Sequence, residues 1–135
     1  MKKLEEDVWV AGQIRPEALT EIAAAGVRTI VNNRPDGEEP GQPVSAEVEA
    51  AARAAGLDYR HIPVAGSFSG AQVEAMAEAL EAGPTLAFCK SGTRSTYLWA
   101  LARARRGADP EALTRAAAEA GYDLSPVRPW LTASR

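Results

Sequence analysis

Pro84-Thr85-Leu86-Ala87-Phe88-Cys89-Lys90-Ser91-Gly92-Thr93-Arg94-Ser95-Thr96-Tyr97-Leu98-Trp99 is the stretch that decides the fold. Residues 84–88 form a short apolar run of strand length. From Arg94 or Ser95 to about Arg106 the apolar positions Tyr97, Leu98, Trp99, Leu101 and Ala102 follow helical spacing, and Gly107 ends the helix. Strand therefore turns directly into helix through Cys89-Lys90-Ser91-Gly92-Thr93. Such a turn points successive backbone N–H groups inward, and the positive end of the helix dipole adds to their field. The spacing predicts an anion-binding nest. Gly92 gives the backbone the freedom the turn demands, Arg94 supplies a guanidinium fork, Ser95 offers a hydroxyl at the helix cap, and Lys90, Ser91 and Thr93 line the rim. The same field favours a thiolate, so Cys89 is expected to ionise below the roughly 8.5 of a free cysteine and to act as a nucleophile. The plainer alternative is a small buried hydrophobe at a strand end. A structural cysteine, however, has no need of the glycine, arginine and serine that follow it.

Working outward, residues 8–10 read as a strand, and Pro16 opens a helix that runs to about Ala25 and stops at Gly26. A β-branched strand follows at 27–31. Prolines, glycines and acids crowd 33–43, which reads as a functional loop. Helix 45–55, strand 59–64, a helix capped by Ser69 and running to about Ala82, and a helix from Asp109-Pro110 to near Gly121 complete the alternation. The tail, 125–135, is expected to be a closing turn or helix docked on the core. Strands alternating with helices predict one α/β domain over 1–135, with a mostly parallel central sheet flanked by helices. Ligands of such sheets bind beyond the carboxyl ends of the strands, which brings together the loops 32–39, 65–69 and 89–94.

The chain of 135 residues has the length of one domain, and its 46% hydrophobic and 24% charged residues with net charge −3 describe an ordinary globular protein. That balance argues against a nucleic-acid surface. No stretch approaches the roughly 18 apolar residues of a membrane span. One cysteine cannot form an internal disulfide, which fits a reducing cytoplasm, and one cysteine with one histidine cannot build a closed metal site. No cofactor is implied, and a protein partner is left open. Trp9, Trp99 and Trp130 are expected in the core or docked on it, and the alanine-rich helices near 47–55 and 111–120 on the surface.

The segments Val10-Ala11-Gly12-Gln13, Gly26-Val27-Arg28-Thr29-Ile30-Val31-Asn32-Asn33-Arg34-Pro35-Asp36-Gly37-Glu38, Tyr59-Arg60-His61-Ile62-Pro63-Val64 and Cys89 to Trp99 resemble the phosphatase-like domain of the β-lactamase-hydrolase-like family, a branch of the dual-specificity and protein tyrosine phosphatase superfamily. The resemblance implies a phosphatase-type α/β fold, with Cys89 as nucleophile and Arg94 as anion clamp. Three departures bear on chemistry. Four residues separate Cys89 from Arg94 where those enzymes usually place five; Phe88 stands where they carry histidine; and Ala65-Gly66-Ser67-Phe68-Ser69 has no carboxylate where their general acid lies. A leaving alkoxide needs a proton, and general acid catalysis contributes about 10²- to 10⁴-fold.

Asp36, Glu38 and Glu39 on the neighbouring loop, and His61, are the groups that could reach the site. Asp36 is the acid candidate, with the ordinary role of a turn residue in Pro35-Asp36-Gly37 as its alternative. His61 also reads as an ordinary strand residue, and Arg34 as either a steering cation or the partner of a nearby acid such as Glu38. The short loop is also similar to the active-site loop of rhodanese-type sulfurtransferases, whose thiolate takes a sulfane sulfur and forms a persulfide without needing an acid. The leading expectation is a cysteine-dependent phosphatase-like hydrolase working through a covalent thiol intermediate. The alternatives are sulfur transfer and a non-catalytic anion-binding regulatory module. The substrate is a small anion in each case, a phosphoester or a sulfane-sulfur donor.

Overall fold

The computed structural model describes residues 1–133; the last two positions of the expected tail lie outside the described residues. Five strands form one sheet: β1 (Lys2–Glu5), β2 (Val8–Ala11), β3 (Thr29–Asn32), β4 (Asp58–His61) and β5 (Thr85–Phe88), in spatial order β1-β2-β5-β3-β4. β2, β5, β3 and β4 run parallel, and β1 pairs antiparallel with β2. Every residue of β3 and β5 is buried. These strands are covered on both faces, which is why they read as continuous apolar runs without alternation.

The first strand was not anticipated, and the reason is local. Lys2-Lys3-Leu4-Glu5 buries only Leu4 well, and its charged neighbours are the kind that protect an edge strand from further pairing. Its stability comes from the ladder to β2, where Lys2 faces Val10 and Lys3 faces Trp9.

Among the described residues, six α-helices cover the sheet: α1 (Leu19–Ala24), α2 (Ser45–Ala54), α3 (Gly70–Glu81), α4 (Thr93–Arg105), α5 (Pro110–Glu119) and α6 (Arg128–Ala133). Pro16 starts a 3₁₀ turn that leads into α1, so the first predicted helix is split in two. Ser69 caps α3 in a reciprocal box with Gln72, each accepting the other's backbone N–H, which satisfies two otherwise orphaned donors. On one face α1 and α2 bury Leu19, Ile22, Val48 and Ala52 against Ile30, Leu86 and Phe88. On the other, α3, α4, α5 and α6 enclose Val31, Ala87, Met76, Leu98, Trp99 and Leu131. Trp99 donates its Nε1–H to Glu5 at 2.8 Å, which gives a buried indole its partner and ties α4 to the edge strand. The tail docks through Val127 and Leu131, each such side chain contributing about 1.5–3 kcal/mol relative to exposure. Trp130 departs from expectation: it is 61% exposed, because Leu131 takes the inward position of this short helix. No described helix is long and apolar enough to cross a membrane.

Candidate active site

Registration of the parallel strands brings their carboxyl ends to one edge, with Ala11 and Asn32 both level with Phe88 and Asn32 level with His61. Four loops leave that edge together. Cys89 follows β5, its N–H donates to Ala11 O at 3.3 Å, and its Sγ accepts the Gly92 N–H at 3.1 Å. Gly92 precedes α4 with φ 91°, a conformation that side chains rarely adopt. The sulfur therefore sits inside the turn of amides. Lys90 and Ser91 donate their N–H groups to no described residue, and the first turn of α4 adds donors that a helix cannot satisfy internally.

The loop is pinned from two sides. Gln13 N–H donates to Lys90 O at 3.3 Å, and Gly12 approaches so closely that a Cβ there would stand 2.9 Å from that oxygen. Opposite, the Tyr122 hydroxyl donates to Ser91 O at 3.1 Å. Burial raises the pKa of that hydroxyl, and the charge of Cys89 adds to the effect.

Arg94, at the end of loop 89–94, contacts loop 32–39 and Val64, the residue just before loop 65–69. Its Nη1 donates to Glu38 Oε2 at 2.8 Å and to Val64 O at 2.7 Å, and its Nη2 donates to Glu38 Oε1 at 3.0 Å. A guanidinium has five N–H groups. Three donate to oxygen, and the side chain also hydrogen-bonds Cys89; Nε–H and one N–H of Nη2 have no oxygen acceptor among the described residues, an edge whose geometry suits an oxyanion. The bonds from Glu38 raise the pKa of Arg94 against the opposing effect of burial, and the nearby charge of Cys89 raises it further.

The acidic loop after β3 is organised by Arg34. Its side chain is 2% exposed and donates Nε to Glu38 Oε1 at 2.8 Å, Nη1 to Gln13 Oε1 at 2.9 Å and Nη2 to Glu39 Oε1 at 2.5 Å. Burial opposes its charge, and the two carboxylates overcome that and raise its pKa. Glu38 is held by Arg94 first and Arg34 second, which lowers its pKa from 4.5 to about 2. Glu39 also reaches Lys90, whose Nζ lies 3.5 Å from Oε2.

The remaining predicted residues take other partners. Asp36 Oδ1 accepts the Ser45 N–H at 2.8 Å and so caps α2; the carboxylates that reach Lys90 and Arg94 are Glu39 and Glu38. His61 Nε2 donates to Arg34 O at 2.9 Å and braces the acidic loop. Arg34 faces its acid partners, so the steering alternative gives way to the paired one. Ser95 is fully buried and donates to Asn33 Oδ1 at 2.7 Å, so its hydroxyl points into the fold and does not cap the helix. Thr93 and Ser91 share a hydroxyl bond of 2.9 Å at the rim. Asn33, Gln13 and Tyr122 went unremarked in the sequence as site residues, although a second asparagine closing a buried apolar strand was a usable signal, since buried polar groups have partners. Cys89 itself is fully buried, yet its immediate neighbours are an amide and a guanidinium and not apolar side chains alone. Among the described residues there is no cluster of metal-ligating side chains.

This architecture is that of a phosphatase-like domain with the protein tyrosine and dual-specificity phosphatase fold. It superposes with a TM-score of 0.84 and 33% identity on a candidate phosphatase from Neisseria meningitidis, covering 99% of this chain and 97% of that one. The fold extends to the human protein DUSP28, at a TM-score of 0.70 and 20% identity over 99% of this chain and 94% of that one. Residues 1–106 match the phosphatase-like domain of the β-lactamase hydrolase-like proteins, and the chain belongs to that family. Curated relatives are the β-lactamase hydrolase-like proteins of Agrobacterium fabrum, 39% identical over 96% of this chain, and of Xylella fastidiosa, 39% identical over 95%. The chain spans 31% of the length of each of these relatives.

Proposed function

We propose that this domain hydrolyses phosphomonoesters through a covalent cysteinyl-phosphate on Cys89. The observation that supports the proposal is the pairing of a sulfur held by the Gly92 amide with an Arg94 guanidinium beside it, whose Nε–Nη2 edge donates to no oxygen and matches a phosphoryl group. In the first step the Cys89 thiolate attacks phosphorus, the S–P bond forms, and the P–O bond to the leaving group breaks. The loop amides and Arg94 stabilise the charge on the equatorial oxygens. In the second step water attacks phosphorus, the S–P bond breaks, and phosphate and the thiolate are regenerated. The leaving oxygen takes a proton from a group in the pocket or, for an acidic phenol, departs without one.

A second reading is favoured by one specific observation: Cys89 has no exposed surface. A sulfur closed off in this way fits a module that binds an anion without reacting. Sulfur transfer retains as support the short Cys89 to Arg94 spacing and the absence of a carboxylate in 65–69. Incubation with p-nitrophenyl phosphate and, separately, with thiosulfate separates all three when intact mass is read alongside released phosphate, with Cys89→Ser as control. Phosphate release that needs Cys89 supports hydrolysis. A sulfur adduct without phosphate release establishes the persulfide route, and neither product, together with iodoacetamide alkylation no faster than that of free cysteine, leaves the binding module.

A further inference from the structure

Arg94 begins a row along one face of α4 that continues with Tyr97, Leu101 and Arg105, positions that share a side of an α-helix. This row forms the floor of a cavity of about 620 Å³. Phe68, Val73, Val127 and Trp130 line it as well, with Phe68 standing edge-on to Tyr97 at 6.3 Å between ring centres. The volume is that of a site burying a small organic ligand, and its lining is apolar between two cations. The Cα atoms of those cations are separated by about 16 Å of helix.

Arg105 differs from its neighbour. Arg106 is paired with both Glu74 and Glu81, whereas Arg105 makes no ion pair with a described residue and donates Nη1 to Gly70 O at 3.1 Å. Glu74 feels the charge of Arg105, but its hydrogen bond goes to Arg106. The far end of the trench therefore presents a guanidinium that makes no ion pair with a described residue, on an exposed side chain and in line with the clamp at the near end.

We infer that the trench receives the leaving group of the substrate, and that the substrate is an elongated aryl phosphomonoester with a second acidic group at its far end. This rests on the hydrolase reading of the site. The phosphoryl group meets Arg94, flat apolar rings lie along Tyr97 and Leu101 between Phe68 and Trp130, and a carboxylate or second phosphate meets Arg105. A lone phosphate would use none of the apolar wall, and a neutral aryl ester would leave the second cation without a partner.

Three synthetic esters test it: phenyl phosphate, biphenyl-4-yl phosphate and its 4′-carboxylate. Turnover is measured with the wild-type protein, and affinity by calorimetry with Cys89→Ser. The expected order of kcat/KM and of affinity is carboxybiphenyl, then biphenyl, then phenyl. The second ring gives about tenfold from buried apolar area, and the carboxylate gives about threefold to tenfold more, fading with added salt because Arg105 is exposed. Arg105→Gln brings the ratio of carboxylated to uncarboxylated ester close to one, and Arg105→Lys restores part of it. A ratio near one in the wild-type protein, or one that survives Arg105→Gln, overturns the assignment of the second anion. Equal affinity for phenyl and biphenyl esters overturns the trench. The predicted order of affinities with no phosphate release from any ester keeps the trench and removes the hydrolase reading.

Discussion

Glu38 grips Arg94 at two points, Oε2 on Nη1 at 2.8 Å and Oε1 on Nη2 at 3.0 Å, and with the same Oε1 it accepts from Arg34 Nε at 2.8 Å. One carboxylate thus joins the loop after β3 to the first turn of α4. In the proposed reaction, two effects of that carboxylate on an incoming anion oppose each other. Its charge repels the anion, and its bonds fix the guanidinium edge that the anion needs.

Glu38→Gln separates them. The amide keeps one acceptor but lacks the charge and the second acceptor, so Arg94 is released from its fixed orientation while repulsion falls. The expected result on an activated aryl phosphate is a kcat lower by about ten- to a hundredfold, as a misplacement near 1 Å costs, with KM unchanged or lower. A lowered KM at unchanged kcat would mean that Glu38 acts on the anion through its charge only and does not orient the clamp.

The same pairing predicts an acid-sensitive contribution to stability. Glu38 has its folded pKa lowered from 4.5 to about 2 by Arg94 and, after it, Arg34. A depressed carboxyl favours the folded state fully above its unfolded pKa, and that contribution disappears as pH falls from about 4.5 toward 2. Glu39 and Glu74 are lowered as well, so the difference between proteins is the informative quantity. The urea midpoint of the wild-type protein should exceed that of Glu38→Gln at pH 6, and the gap should narrow at pH 3. A gap independent of pH would show that the ion pair adds nothing to stability.

Gly92 and Tyr122 offer a test of the cradle's geometry. A Cβ on Gly92 would collide with the Tyr122 hydroxyl and lie 3.1 Å from Cζ, on a backbone at φ 91°. Gly92→Ala is expected to destabilise through both: about 1–2 kcal/mol for the left-handed backbone and about 1–3 kcal/mol for the overlap. Tyr122→Phe removes the hydroxyl and its bond to Ser91 O, at about 1 kcal/mol. The double variant should be more stable than the sum of the two losses, because the phenyl ring relieves most of the overlap and none of the backbone strain. Strict additivity in urea melts would show that the two residues do not touch.

The strand, turn and helix around Cys89 were legible because each is encoded locally: an apolar run, a glycine where the chain must turn back, and a helical apolar stripe from Tyr97 to Leu101. The convergence of loops at one sheet edge was legible from the rule for parallel sheets, and Arg94 contacts Glu38 in loop 32–39 and Val64, which immediately precedes loop 65–69. What stayed hidden lies in long-range pairing. Ser95 and Asn33 bond across 62 residues, and nothing near either one announces the other. Asp36 and Glu38 are both acids in one turn-rich loop; only the path of the chain decides that the first caps α2 and the second meets Arg94. β1 carries almost no apolar pattern because an edge strand needs a ladder more than a core.

Gly12 gives a test of a different kind, since it has no special backbone angle and its constraint is proximity alone. A Cβ there would stand 2.9 Å from Lys90 O, and that contact is with backbone, which cannot rotate away. Gly12→Ala must push the loop that carries Cys89, and it also strains the Gln13 to Lys90 bond of 3.3 Å behind it. The contact lies just past the ends of β2 and β5 and involves no residue of either core, so the expected loss of stability is about 1 kcal/mol or a little more, the low end of overpacking. Activity should suffer more. A loop displaced by a few tenths of an ångström misaligns sulfur and amides relative to the fixed Arg94 edge, and kcat/KM on an aryl phosphate is expected to fall about tenfold or more. Paired measurements of the urea midpoint and kcat/KM check this. A variant that loses stability while retaining full activity would mean that the position of the loop is set from the Tyr122 side, with the approach of Gly12 incidental to it.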